Sequence, residues 1–409
     1  MGNKGKVKEE MNKTKNKSDT RLGIVTTIAL MLITAIITYF VTVNVTIKSY
    51  LSKANSAYMT AKMSLIKNKL ESTYMYDVDD EKMMEGAIKG YVAGLGDKYT
   101  QYLTPDEFSS LFESTTGTYV GIGVYIGNST KVDGVVVAGI VEGSVAEKAG
   151  IQAGDIIIKV DDKDYSGQQT ENVAAALKGS EGTKVKVTVS RDGSQKEFEL
   201  TKASIKVKTV ASQMLDDQIG YINIASFDDG TADEFKKNYN DLKSKNPKGL
   251  VIDLRNNGGG VVTESLQVAD TMVEKNKTLL ITTDKEGKEH VDSAKENPIV
   301  DIPVVLLVNK GTASASEILA ASLRDNCNYK IIGLNTYGKG VIQSVFSFAD
   351  GSAVKVTTNE YFSPNHNVIN NVGITPDIEV EQDEEWNNVS AVPFEHDKQL
   401  QKAIEELKK

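Results

Sequence analysis

The spacing of apolar residues changes three times along this chain and divides it into four regions. Residues 22–47 form one apolar run without a charge. In residues 48–114 apolar residues recur at intervals of three and four, which predicts helices. From Tyr119 short β-type runs alternate with Gly and Asp turns. After Lys206 buried-strand patterns alternate with amphipathic helix patterns, which predicts a layered α/β domain.

The first apolar run, Leu22–Ile47, has 26 residues. At about 1.5 Å per residue, a helix of this length exceeds the ~30 Å hydrocarbon core of a bilayer. Residues 1–21 carry seven Lys/Arg. The positive-inside rule therefore predicts a cytoplasmic tail, a single-pass anchor in the cell membrane, and residues 48–409 outside the cytoplasm. A cleaved signal peptide is the alternative, although its apolar core usually spans only ~7–15 residues.

The charge of the chain limits its partners. The net charge of −9 argues against nucleic acid as the main partner. The first 47 residues carry seven Lys/Arg and three Asp/Glu, a charge of +4, which leaves −13 for the remainder. Because Cys327 is the single cysteine, the sequence excludes an intrachain disulfide and a zinc site built on several cysteines.

Short β-type runs between residues 115 and 205 predict a β-rich domain. Its segments YVGIGV and GSVAEKAGIQAGDIIIKVDD resemble the carboxylate-binding loop of PDZ domains and the stretch that follows it. The resemblance implies that Gly121, Ile122, Gly123 and Val124 bind the C-terminal carboxylate of a peptide, which adds to the sheet as a strand. The alternative is that the glycines only allow a tight turn.

Two serines, Ser314 and Ser316, lie in GTASASEI, where a predicted buried strand gives way to a helical pattern. If Ala315 begins the helix, Ser314 lies at its N-terminus, where free N–H groups and the helix dipole favour an anion. A serine at such a position is most often an N-cap. A nucleophilic serine would also need a base.

The choice of base is limited by the composition. None of His290, His366 and His396 lies in a glycine-framed or strand-end motif, so a Ser-His-Asp triad has no good candidate. Lysine is another activator when desolvation keeps it neutral. Among 43 lysines, Lys339 stands between two glycines in NTYGKGVIQ, where the backbone is free to turn sharply. A solvated turn lysine is the alternative.

Taken together, these segments resemble the C-terminal processing (tail-specific) peptidases. The resemblance rests on GTASASEI, on Lys339 in YGKG, 25 residues after Ser314, and on Gln343. It is extended by EGAIKGYVAGLGDKYTQYL, DLRNNGGG and YFSPNHNVINNVGITPDIEV, in the order of the family. The matching region runs from about residue 65 to the C-terminus.

The resemblance implies roles for three residues. Ser314 would be the nucleophile, Lys339 the general base and later the acid, and Gln343 the residue that orients the lysine. A helical turn would place Lys339 and Gln343 ~5–6 Å apart, whereas a strand would separate them by about 13 Å. If the role carries over, residues 339–343 should include a turn of helix.

An oxyanion hole is implied as well. It would use the Ala315 N–H and one N–H from Gly258–Gly260, with Gly259 as the first choice. Ser316 is the rival nucleophile, and Glu317 is expected to be structural, as a cap or in an ion pair. No metal and no organic cofactor is implied, because Ser and Lys suffice.

The predicted fold class is α+β and multidomain, with a transmembrane helix, a helical arm, a PDZ domain and a crotonase-like α/β protease core. The predicted segments follow in chain order: basic tail 1–21, anchor 22–47, helical arm 48–114, PDZ domain 115–205, protease core 206–383 and C-terminal helical segment 384–409. The arm suits a stalk, a homodimer contact or both.

The predicted function is a membrane-anchored serine endopeptidase that cleaves extracytoplasmic proteins or peptides selected by their C-terminal tails. One alternative is a tethered PDZ scaffold with an inert core. Retention of Ser314, Lys339 and Gln343 together argues against it. Another alternative, an acyl-CoA enzyme of crotonase type, leaves the PDZ domain unexplained.

Overall fold

A computed structural model describes most of the chain after residue 55. The described residues are 56–128, 134–383 and 392–409, with the isolated positions 34, 38, 39, 41, 42 and 386. The predicted tail, residues 1–21, and almost all of the predicted anchor, residues 22–47, lie outside them. Within the described residues, no helix combines the length and the apolar character needed to cross a membrane.

Two compact units divide the chain, Met1–Met84 and Glu85–Lys409. The helical pattern at the start of the described region is confirmed by α1 over residues 56–73, α2 (Asp80–Ala93) and α3 (Pro105–Thr116). The predicted helical arm nevertheless contains a strand, β1 (Gln101–Leu103). This strand belongs to the second unit and forms because it pairs with Ala353–Lys355 of the same unit, a contact that local periodicity does not encode.

A β-rich domain follows α3. Its strands are β2 (Thr118–Gly121), β3 (Val124–Asn128), β4 (Val135–Ile140), β5 (Ile156–Val160), β6 (Lys163–Asp164), β7 (Lys184–Arg191), β8 (Ser194–Thr201) and β9 (Ala203–Lys206). Helices α4 (Val145–Ala149) and α5 (Thr170–Leu177) interrupt them. The main sheet has the order β3-β4-β5-β7-β8, so β3 lies at an edge. The antiparallel pair β2–β9 joins the two ends of the domain.

The remaining elements alternate strands and helices, as predicted. The strands are β10 (Val210–Met214), β11 (Ile219–Ile224), β12 (Gly249–Asp253), β13 (Thr278–Asp284), β14 (Glu289–Ser293), β15 (Val304–Val308), β16 (Lys330–Gly333), β17 (Val341–Ser347), β18 (Ala353–Phe362) and β19 (Ile378–Glu379). The helices are α6 (Thr231–Lys243), α7 (Val262–Asp270), α8 (Ala315–Cys327) and α9 (Lys398–Leu407).

A six-stranded sheet, β10-β11-β12-β15-β16-β19, forms the centre of this region. All pairs are parallel except β10–β11. Leu250 and Ile252 of β12 belong to a large apolar core with α6, α7 and α8, whereas Val251 belongs to a smaller core with α9. Because alternate side chains point to opposite faces, helices cover both faces of the sheet.

A second sheet completes the region. Strand β18 pairs antiparallel with β1, β13 and β17, and β14 continues the sheet beyond β13. Residues 334–340 connect β16 of the first sheet to β17 of the second and are called the lysine turn below. This turn contains Lys339.

A buried charge cluster fastens the C-terminal helix to the first sheet. The Arg255 guanidinium donates to both carboxylate oxygens of Asp253 and to both of Asp397 at 2.6–3.0 Å. Both carboxylates are 3% exposed. Burial would raise the pKa of Asp397, but its bond with Arg255 outweighs this and the pKa lies below its usual value.

Replacing Arg255→Ala is expected to lower the free energy of unfolding by about 3–5 kcal/mol, since it leaves two buried carboxylates without their cation. Urea unfolding at pH 7 measures this change. Lys285→Ala, which removes an exposed cation beside Glu286, is the control and should change stability by less than about 1 kcal/mol. Equal losses in both variants would contradict a special role for the buried cluster.

Candidate active site

Ser314 lies in the turn between β15 and α8, in a backbone conformation that L-amino acids rarely adopt. Its φ is 55° and its ψ is −118°. A non-glycine residue in such a conformation costs about 1–3 kcal/mol and persists only when its surroundings enforce it. At this sharp turn the chain changes direction between β15 and α8. Ser314 is 9% exposed and directly precedes the first residue of the helix.

The glycine-rich loop after β12 fastens this turn from one side. The Asn257 carbonyl oxygen accepts the Ala313 N–H and the Ser316 hydroxyl, each at 3.0 Å. The Asn257 side chain in turn donates to the Ile224 carbonyl oxygen at 2.8 Å. Ser316 is fully buried. Its hydroxyl is therefore used in a contact between two loops.

The buried carboxylate of Glu317 fastens the turn from the other side. It accepts the Ser314 N–H at 2.8 Å, the Gly338 N–H at 2.7 Å and the Lys339 N–H at 2.9 Å. The Thr336 hydroxyl donates to it as well. Glu317 also lies in the first turn of α8, where the helix dipole favours a negative charge. One side chain thus holds the serine turn and the lysine turn together.

Tyr361 of β18 makes a second link between these turns. Its hydroxyl donates to the Lys339 carbonyl oxygen and lies 3.1 Å from the Ser314 carbonyl oxygen. Its own N–H donates to the Gly340 carbonyl oxygen at 2.9 Å. Burial raises the pKa of the Tyr361 hydroxyl, so the hydroxyl remains a donor. The backbones of Ser314 and Lys339 are therefore fixed relative to each other by two buried side chains.

The Lys339 ammonium is half-buried beside an aromatic ring. Its Nζ lies 5.0 Å from the centroid of the Tyr99 ring. Burial lowers the pKa of Lys339 from its ordinary value, and the charge of Lys355 lowers it further, whereas Tyr337 and Glu317 act in the opposite direction. Among the hydrogen bonds of the described residues, none joins Lys339 Nζ to the serine hydroxyl.

The predicted oxyanion hole has one free donor and one occupied donor. Within the described part of the chain, the Ala315 N–H has no hydrogen-bond acceptor. The Gly259 N–H, by contrast, donates to the Asn257 side-chain oxygen at 2.9 Å. The choice of Gly259 as donor does not fit this arrangement. Gly258 and Gly260, whose N–H groups have no acceptor among the described residues, are the alternatives within the predicted triplet.

Gly259 has a packing role instead. Its φ is 98°, and a Cβ added to it would lie 2.8 Å from the Ser314 Cβ and 2.9 Å from the Ala315 nitrogen. Only glycine allows the loop after β12 to approach the serine turn so closely.

The helical turn predicted over residues 339–343 is wrong. Val341–Ser347 is strand β17, paired antiparallel with β18, with a register shift between Ile342 and Gln343. The Gln343 amide donates weakly to the Thr357 hydroxyl at 3.5 Å. The pairing with β18 overrides the local spacing. The role of Gln343 in orienting Lys339 was tied to that helical turn, so it loses this support and stays a prediction.

Residue spacing did not identify three residues of this site. Tyr99 and Tyr361 were not predicted, and Glu317 was expected only as a cap or an ion-pair partner. The Ser-x-x-Glu spacing from Ser314 to Glu317 is a capping signal, which accounts for one of the hydrogen bonds that Glu317 accepts. The other contacts depend on chain pairings that are distant in sequence.

The predicted peptide-binding loop, Gly121 to Val124, joins β2 to the edge strand β3. The carbonyl oxygens of Ile122 and Gly123 accept the N–H groups of Ala146 and Val141. The N–H groups of Ile122 and Gly123 find no acceptor in the described ranges. A Cβ added to Gly123 would lie 2.3 Å from the Ser144 Cβ. The loop therefore requires glycine there and offers two backbone donors beside an open strand edge.

Three family models match this chain. Peptidase family S41 matches residues 218–380, a PDZ domain matches residues 136–191, and the N-terminal domain of the activating protease CtpB matches residues 31–107. The matched ranges follow the chain in the order predicted from the sequence.

Relatives extend the match beyond these ranges. The carboxy-terminal processing protease CtpA of Bacillus subtilis (strain 168) is 34% identical over 86% of this chain and 76% of that protein. A probable CtpA-like serine protease of Staphylococcus haemolyticus is 32% identical over 94% of this chain and 77% of that protein. The chain belongs to peptidase family S41. It is a serine-type C-terminal processing peptidase with a PDZ domain, which confirms the family predicted from the sequence.

A solved structure adds a likeness in fold. A putative S41 protease from Bacteroides fragilis superimposes with a TM-score of 0.52, covering 82% of this chain and 92% of that chain at 16% identity. Within the described part of the chain, no group of three or more His, Cys, Asp or Glu side chains is placed to hold a metal ion.

Replacing Glu317→Gln is expected to reduce kcat/KM by about 10²-fold, since the amide presents N–H donors to backbone N–H donors and displaces one turn relative to the other. Cleavage of a peptide substrate measures the change, and the melting temperature reports folding. Glu286→Gln, at an exposed loop position, is the matched control. A folded Glu317→Gln enzyme with full activity would contradict the role of this carboxylate.

Proposed function

We propose that this S41 peptidase is a membrane-anchored endopeptidase with a Ser314–Lys339 dyad. It cleaves extracytoplasmic proteins or peptides that its PDZ domain selects by their C-terminal tails. The observation that carries the dyad is the double link by Glu317 and Tyr361, which holds the backbones of the two residues together. The predicted core is crotonase-like, with this dyad at the strand ends.

The proposed reaction begins with neutral Lys339. Its amine takes the proton of the Ser314 hydroxyl as Oγ attacks the carbonyl carbon of the scissile peptide bond. The Ala315 N–H and an N–H from the glycine-rich loop stabilise the resulting oxyanion. The lysine then gives its proton to the leaving amine, and water releases the acyl group. Half-burial supports this role, because it lowers the pKa of Lys339 towards working pH.

The assignment of Ser314 rather than Ser316 has two supports. Ser314 takes a strained backbone conformation on a strand-to-helix turn, as is typical of nucleophilic serines on such turns. The Ser316 hydroxyl is buried and donates to the Asn257 carbonyl oxygen. Ser316 thus stabilises the meeting of two loops, a structural role.

Tail selection would use the loop from Gly121 to Val124. The N–H groups of Ile122 and Gly123, which have no acceptor among the described residues, suit a carboxylate, and β3, at the edge of the described sheet, suits pairing with an extended peptide. Helix α5 lies beside β3, and the Thr170 hydroxyl donates to the Asn128 side chain. A groove between a helix and a strand edge would admit a C-terminal tail.

The proposed location rests on the sequence. The uncharged run 22–47 would anchor the chain in the cell membrane through one helix, with the basic tail 1–21 in the cytoplasm and the catalytic region outside. The helical arm, residues 48–114, would serve as a stalk or as a homodimer contact. Protease protection in spheroplasts distinguishes this orientation from its reverse.

Replacing Ser314→Ala or Lys339→Ala is expected to abolish cleavage, each by a similar large factor because the residues of one catalytic unit are not additive. Ser316→Ala, the matched control, should keep activity. Digestion of a tailed substrate by the full-length chain in mild detergent measures this, with melting temperatures as the check on folding.

Two outcomes would contradict the assignment. If Ser316→Ala is inactive and Ser314→Ala remains active, Ser316 is the nucleophile and Ser314 has the structural role. A folded wild-type chain that cleaves no substrate, while its PDZ domain still binds tails, would favour the inert scaffold.

Amidation of a substrate's C-terminus is expected to raise KM by about 10- to 100-fold, since it removes a charged acceptor whose hydrogen bonds contribute about 1.5–3 kcal/mol. Cleavage of the free acid and the amide of one peptide sequence gives the comparison. A short peptide without the tail sequence is the control and should respond little to amidation. Equal cleavage of both long forms would overturn carboxylate recognition.

A further inference from the structure

The ring beside the Lys339 ammonium comes from a distant segment of the chain. Tyr99 lies between α2 and β1, where Asp97 accepts the Tyr99 N–H at 3.0 Å and the Thr100 hydroxyl at 2.6 Å. The Thr100 hydroxyl in turn accepts the Thr357 N–H of β18 at 3.0 Å. The segment that carries the ring is therefore hydrogen-bonded, through Thr100, to the same strand that carries Tyr361.

The face of an aromatic ring attracts a cation and has no comparable attraction for a neutral amine. At 5.0 Å from the ring centroid, Lys339 Nζ lies within the ~6 Å range of this interaction. The ring therefore distinguishes the two protonation states of the lysine. The other charged or titratable groups that act at this place are Glu317 on α8, Lys355 on β18, Tyr337 on the lysine turn and Lys98 beside Tyr99.

We propose that the Tyr99 ring holds the protonated Lys339 side chain in an idle position, away from the Ser314 hydroxyl. Tyr99 is then a positioning residue that acts on the base and touches no substrate. The absence of a hydrogen bond between Lys339 Nζ and the serine hydroxyl, within the described contacts, is what an idle position requires. The inference rests on the proposed role of Lys339 as the base.

The direction of the effect follows from the charge. The ring stabilises the ammonium, so it raises the pKa of Lys339 above the value that burial and Lys355 would otherwise set. Below that pKa, the ring reduces the fraction of neutral lysine and slows the reaction. Above it, the lysine is neutral, the ring no longer holds it, and the rate is unaffected. An effect confined to one side of the titration separates this role from a merely structural one.

The test compares pH profiles of kcat/KM for the full-length chain in mild detergent, from pH 6 to 10, on one tailed peptide. Wild-type activity should rise with pH through the lysine titration. Tyr99→Leu should move this rise down by about half to one pH unit, and so increase kcat/KM about three- to tenfold at the acidic end. The two profiles should meet at the alkaline end.

Two further variants keep the test decisive if Tyr99→Leu folds poorly. Tyr99→Phe keeps the ring and loses the hydroxyl, so its profile should stay close to wild type. Tyr99→Trp offers the strongest cation–π partner and should move the rise to higher pH. The pH dependence of Ser314 labelling by a fluorophosphonate, which needs no substrate turnover, should follow the same order.

The outcomes that overturn the inference are distinct from those that overturn the dyad. A Tyr99→Leu profile that is unshifted, or lowered equally at every pH, overturns the idle position, as does a Tyr99→Phe shift equal to that of Tyr99→Leu. If Lys339→Ala remains active, the dyad itself is wrong. An inactive Lys339→Ala beside an unshifted Tyr99→Leu retains the dyad and overturns only the role of Tyr99.

Discussion

The arrangement of this site depends on one buried carboxylate. Placing the Glu317 charge inside a protein would cost several kcal/mol without partners. Its partners are three backbone N–H groups and the Thr336 hydroxyl, together with the positive end of the α8 dipole. Since these donors come from two separate turns, the carboxylate is stabilised only when both turns are in place. The hydrogen bond from the Ser314 N–H to this carboxylate therefore helps to keep the Ser314 backbone in its strained conformation.

The topology of the first sheet explains why these turns meet. Strands β12, β15 and β16 are parallel neighbours, so the chain leaves them at one edge of the sheet. The glycine-rich loop follows β12, the serine turn follows β15 and the lysine turn follows β16. Strand β18 of the second sheet then brings Tyr361 to the same edge. Residues far apart in sequence are thereby placed side by side without a long connecting loop.

Local sequence patterns predicted much of this arrangement. They failed where the conformation depends on pairing between strands that are distant in sequence. The alternation of strands and helices, and the position of Ser314 just before α8, follow from periodicity and capping signals. The spacing from Lys339 to Gln343 suggested a helical turn, but pairing with β18 makes this segment a strand. The occupied Gly259 N–H depends on the rotamer of Asn257, which no sequence pattern records. Tyr361 lies on β18, and the segment of Tyr99 is hydrogen-bonded to this strand through Thr100.

The hydrogen-bond partners of the Glu317 carboxylate affect the ability of Lys339 to act as a base. A carboxylate in direct contact with Lys339 Nζ would favour the ammonium and oppose a role as base. Among the described residues, no ion pair joins these two groups, and the carboxylate oxygens instead accept hydrogen bonds from N–H and O–H donors. Its charge thus orients the backbone of both turns while burial and Lys355 lower the pKa of the lysine. Because its oxygens hold backbone donors, the Glu317 charge raises the pKa of Lys339 by less than burial and Lys355 lower it, so one buried acid organises the site without disabling the base.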